Sequence, residues 1–126
     1  MNKPAMIFAC LLMLGQAGCA VQHTHVDAPM TVVSETPGRW TLTQTLPLTL
    51  QTGYSRILKQ GSRWTVVGQL SQGTVYRPYH DVFTLEGANT HEAYLVVAND
   101  VLVGFYLPAE AGFSPFGPRP SISLKQ

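Results

Sequence analysis

The chain predicts an all-β fold, a single small antiparallel meander forming a barrel or a sandwich. Three observations carry this. Between residues 39 and 50, Trp40, Leu42, Leu46, Leu48 and Leu50 alternate with Thr41, Thr43, Thr45 and Thr49. Two apolar runs, 91–98 and 101–107, flank Asn99 and Asp100, a pair that suits a tight turn. After residue 18, no stretch keeps a helical apolar period for more than two turns.

The elements follow in order. Residues 19–38 are mixed in character and carry two prolines, which reads as a flexible tether with a short strand at 31–34. Residues 39–110 hold the β domain. In 39–50 the period of two puts the leucines on one face and the threonines on the other. Pro47 has no N–H for a ladder, so it marks an edge or a bulge. An internal echo follows: Leu58, Gln60, Gly61, Ser62 and Trp64 are matched by Leu70, Gln72, Gly73, Thr74 and Tyr76. It predicts two successive strand–turn–strand steps, each turning at Gln-Gly. Residues 81–86 form another short strand. The runs 91–98 and 101–107 form the central hairpin, with His91, Ala93, Leu95 and Val97 facing Val101, Val103, Phe105 and Leu107. Gly104 marks a bulge or close packing under an aromatic. Residues 111–126 are rich in Pro and Gly and form a strap or tail. Ile122 and Leu124 offer a last edge strand.

Composition sets further bounds. The 126 residues suffice for one domain. Charged residues make up 12% and apolar ones 45%, which fits a folded chain rather than a disordered one. The formal net charge of +1 gives no nucleic-acid footprint.

Residues 1–18 have the build of a signal peptide. Lys3 supplies positive charge, residues 5–14 are an apolar run, and Gly15, Gln16, Ala17 and Gly18 lead to Cys19. A bilayer span needs about 20 apolar residues, so the run is too short to be one. The stretch Leu14, Gly15, Gln16, Ala17, Gly18, Cys19 resembles the lipobox of bacterial lipoproteins, with Gln16 its one departure. That resemblance implies a lipid anchor on Cys19, which becomes the new N-terminus. With Ala20 next to it, it also implies an outer-membrane location, here facing the periplasm. Cys10 lies within the apolar run, so the mature domain would carry no thiol or disulfide.

No catalytic constellation is legible. The sequence has no Gly-x-Ser-x-Gly elbow, no phosphate loop and no dinucleotide fingerprint. His23 and His25 are read as solvated tether residues. His80 with Asp81 and His91 with Glu92 are strand neighbours whose side chains point to opposite faces. The expectation is a non-catalytic protein with no cofactor and no metal.

Charge layout says more. From 36 to 80 every charge is basic: Arg39, Arg56, Lys59, Arg63 and Arg77. From 81 to 118 every charge is acidic: Asp81, Glu86, Glu92, Asp100 and Glu110. Cross-strand pairing of the two halves accounts for this without any partner. Alternatively, Arg56, Lys59, Arg63, Tyr76 and Arg77 form a surface for another envelope protein or an anionic envelope component. The protein would then be a binding or assembly subunit held at a membrane. In another class, it would be an immunity or inhibitor lipoprotein that blocks a toxin or lytic enzyme.

Overall fold

A computed structural model describes residues 22–33 and 38–126. Cys19 and the signal-like segment lie outside the described residues. So does Ser34, the last residue of the strand expected at 31–34. The described residues form strands and loops and no helix, and every strand pair is antiparallel.

The framework is a meander with two excursions. Strands β3 (Arg39–Leu42), β6 (Arg63–Leu70), β7 (Gly73–Pro78), β10 (Tyr94–Ala98), β11 (Val101–Leu107) and β12 (Gly112–Pro115) lie side by side in chain order. Between β3 and β6 the chain leaves to build the hairpin β4 (Leu46–Thr49) and β5 (Ser55–Leu58). Between β7 and β10 it builds β8 (Thr84–Leu85) and β9 (His91–Glu92). The C-terminal residues tie the ends of this curled sheet together. Val101 bridges Ser121, and β13 (Leu124–Lys125) pairs with β3.

The leucine alternation of 39–50 is broken at residues 43–45, but its faces persist. Leu42, Leu48 and Leu50 are buried in one cluster, and Pro47 is exposed on the edge hairpin. At Asn99 and Asp100 φ is 52° and 59°, the left-handed pair a two-residue hairpin requires. The two Gln-Gly steps differ. Gly61 has φ 89° in its turn. Gly73 opens β7, where a Cβ would lie 2.6 Å from the Val97 carbonyl oxygen. One glycine serves backbone conformation, the other close approach.

Both faces of the sheet are covered. The inner face packs Trp64, Tyr76, Leu95, Val97, Leu102 and Phe105 with the leucines of β3 and β4. The outer face packs Val75, Val96, Val103, Tyr106 and Phe113 under Ala28. The register between β10 and β11 shifts between Val96 and Val97, which turns Val103 outward and leaves Leu102 inside. The expected face of Val101, Val103, Phe105 and Leu107 is corrected accordingly: a period of two changes parity at a bulge. On the same strand Gly104 admits the close approach of β12, since a Cβ there would meet the Phe113 ring at 2.6 Å.

The N-terminal end also differs from expectation. Residues 22–33 are no free tether. β1 (Val26–Asp27) pairs with β12, β2 (Thr31–Val32) pairs with β6, and Ala28 is buried. Residues 111–126 take the strap form of the two expected, with Phe113, Phe116 and Ile122 buried, β12 in the sheet and Leu124 in the last edge strand, β13. The β domain therefore extends on both sides of 39–110.

Candidate functional site

Trp64 on β6 lies opposite Pro78 on β7, so both excursions leave the sheet side by side. A cleft of about 260 Å³ opens between them. Arg56, Lys59, Ser62 and Arg63 line one wall; Pro78, Tyr79, Asp81 and Phe83 line the other. Trp64 is buried at its base and donates its Nε1–H to Ser62 Oγ at 3.0 Å. Ile57 and Val82, 59% and 63% exposed, put aliphatic surface on the rim.

Three residues of the expected contact surface therefore meet here: Arg56, Lys59 and Arg63. The other two do not. Tyr76 is only 9% exposed and packs in the inner core, edge-on to Trp40 at 5.9 Å. Arg77, the next residue, points to the opposite face, beside Tyr94. It lines a separate groove with Val67 and Tyr106. The surface is thus corrected to the first three residues. Arg39 of the same basic stretch and Tyr79 adjoin it, with the Arg39 guanidinium 4.4 Å above the Tyr79 ring and His80 stacked on Tyr79 at 4.1 Å.

Charge pairing between the basic and acidic halves is realised at one point. Arg56 Nη1 lies 3.5 Å from Glu86 Oε1, and the guanidinium sits 5.0 Å from the Phe83 ring centroid. Among the described residues this is the sole contact within 4 Å between Arg or Lys and a carboxylate. Lys59 and Arg63 are exposed with Asp81 as the acidic member of the cleft, and Asp81 Oδ1 accepts from the Val82 amide at 2.8 Å. Arg56 Nε is buried without a partner, so part of this guanidinium's donor capacity is unused.

A polar cluster adjoins the Arg56–Glu86 pair. His23 is 7% exposed and donates from Nε2 to the Glu86 carbonyl at 2.9 Å. Its Nδ1 accepts from Gln51 Nε2 at 3.3 Å. This pattern suits a neutral ring protonated at Nε2. Thr52 Oγ1 donates to the same Glu86 carbonyl at 2.7 Å. His91 stands edge-on to His23 with ring centroids 6.2 Å apart, and its Nδ1 is 3.3 Å from Glu110 Oε2. His91 thus meets Glu110 and His23 rather than its neighbour Glu92, while His80 stands apart on Tyr79. Among the described residues no group of three His, Cys, Asp or Glu side chains is arranged to hold a metal ion. Local sequence gave no sign that His23 docks, because its partners are remote in the chain.

The cleft thus offers cationic and apolar groups together, which suits retention of an anionic, partly apolar ligand. No family model, curated protein or solved structure matches the chain.

Proposed function

We propose that this is a lipid-anchored protein of the bacterial envelope, attached through Cys19 to the outer membrane on its periplasmic side. It acts there as a non-catalytic binding or assembly subunit and holds an anionic envelope component at the Arg56, Lys59 and Arg63 cleft. The observation that carries the binding role is the meeting of these three cations beside exposed Ile57 and Val82, with a single ion pair among them. The lipobox-like stretch ending at Cys19 supports the anchor.

Two experiments test it. Cys19→Ser removes the thiol that would receive the lipid, so palmitate labelling should vanish and the protein should leave the membrane fraction or stay unprocessed. Unchanged labelling in the variant rules the anchor out. Crosslinking in intact cells should recover a component with the wild type. Lys59→Glu with Arg63→Glu should lose it while the melting temperature holds, since exposed charges contribute at most about 1 kcal/mol to folding. Recovery should also fall with salt, as screening lengths shrink to about 3 Å near 1 M. Equal, salt-independent recovery in both proteins removes the cleft from the binding role.

A further inference from the structure

We infer that the anionic component met by the cleft is the phospholipid headgroup layer of the membrane that holds the protein, with the β4–β5 hairpin lying against it. This deepens the reading above and rests on its lipid anchor. A free tether from Cys19 to Arg39 would let the domain range up to about 70 Å from the bilayer, at about 3.5 Å per residue. The structure does not leave that freedom, because His23 is buried against Gln51 and the Glu86 carbonyl. Cys19 precedes His23 by four residues, which reach about 14 Å when fully extended. Whatever surface surrounds His23 is therefore held within about 14 Å of the anchored cysteine.

That surface has the composition an interface selects. Gln51, the partner of His23, begins the β4–β5 turn, and Tyr54 in the same turn is 52% exposed. Ile57 follows on β5, and Val82 faces the same cleft. Lys59 and Arg63 stand beside these apolar groups with their charges in solvent. Long basic side chains that flank aliphatic and Tyr side chains lay their stems on the apolar layer and their charges on phosphates. Two acids lie nearby: Glu86 is engaged by Arg56, and Asp81 caps the Val82 amide. The balance at the cleft mouth stays positive, complementary to an anionic leaflet. An acidic protein segment would use the same charges, but the short leash favours the bilayer.

The test uses the processed, lipidated protein in vesicles of phosphatidylglycerol and phosphatidylcholine, or of phosphatidylcholine alone. The chain from Cys19 onward has no other cysteine, so Ile57→Cys and Ser71→Cys each accept one environment-sensitive fluorophore. Ser71 is exposed in the β6–β7 turn, at the end of β6 opposite Arg63. The Ile57 label should shift to the blue and quench several-fold more slowly with an aqueous quencher than the Ser71 label. The effect should be strongest with phosphatidylglycerol and should be lost in Lys59→Glu with Arg63→Glu, whose melting temperature confirms its fold. Equal quenching at both positions in acylated protein overturns the inference and leaves the anchor standing. So does shielding of Ile57 that appears only when a second protein is added. Mass spectrometry of the same sample separates the remaining case: an unmodified Cys19 overturns the anchor, and this inference with it.

Discussion

The two ends of the β6–β7 pair are built differently. At one end the chain turns back through Ser71 and Gln72, and next to it β10 returns to β11 through Asn99 and Asp100. At the other end residues 43–62 and 79–93 wander into extra hairpins before rejoining the sheet. The tight end is closed by two-residue turns, the Thr74–Gln69 side-chain bond and the C-terminal segment that bonds Asp100 and Leu102. The long end carries the cleft, the Arg56–Glu86 pair and the docked His23. Excursions place polar groups where a ladder has no room for them, so binding chemistry collects on that side.

The contrast is broken most severely at Val97. It pairs with Thr74 and Leu102 beside the tight turn and faces the inner core. Val97→Asp buries an unpaired carboxylate, at a cost of several kcal/mol, comparable to the whole stability of a small domain. The variant should be unfolded or fail to melt cooperatively. Val82→Asp, the same change on the exposed rim of the long end, should stay within about 0.5 kcal/mol of wild type. Similar melting of both variants would show that the two ends are not energetically distinct.

A smaller effect belongs to His23. His23→Ala removes the donor to the Glu86 carbonyl and the acceptor for Gln51. The carbonyl keeps its bond from Thr52, so the loss should be only about 1–2 kcal/mol. It should also be local. Hydrogen exchange should quicken at the Ala28 amide, which bonds the Ala111 carbonyl, and stay unchanged in β10 and β11. Uniform loss of protection across the sheet would mean that the N-terminal segment is integral to the core.

How far the sequence foretells each end follows from the range of the interactions. The all-β class, the Asn99–Asp100 turn and the burial of Leu42, Leu48, Leu95 and Val97 were all legible, because turn chemistry and side-chain alternation are local. The outward turn of Val103 was not, since it follows from a register shift against Val96 and Val97 on the partner strand. Nor was the docking of residues 22–33, whose partners lie on β6, β12 and the Glu86 loop. The site divides the same way. Arg56, Lys59 and Arg63 stood out as a basic stretch without intervening acids. Tyr76 and Arg77 are adjacent on one strand and cannot share a face, so their grouping failed on the alternation that located the strands. Ile57 and Val82 gave no signal at all, because exposure of an aliphatic residue is settled by tertiary packing.

The smallest effect appears only at alkaline pH, and it compares two tyrosines. Tyr76, in the inner core, has its phenol held above the ordinary 10.0, chiefly by burial and then by the negative charge of Asp100 in the tight turn. Tyr94 is also raised, first by burial and then by Glu92 and Tyr106, but Arg77 opposes this with its charge. A phenol whose folded value lies above its unfolded one favours folding while it is neutral. Its contribution is fully present below about pH 10 and is lost as pH rises through the folded value. The melting temperature should therefore fall above that pH. Tyr76→Phe keeps the ring and deletes the titration, so it should flatten the fall. Tyr94→Phe should flatten it less, because Arg77 offsets part of the shift there. Below about pH 9 both variants should differ from wild type by no more than about 1 kcal/mol. Melting curves across the alkaline range, with tyrosinate absorbance as the titration readout, decide the matter. An unchanged fall in Tyr76→Phe would place the alkaline weakness elsewhere and remove Asp100 as a partner of the inner core.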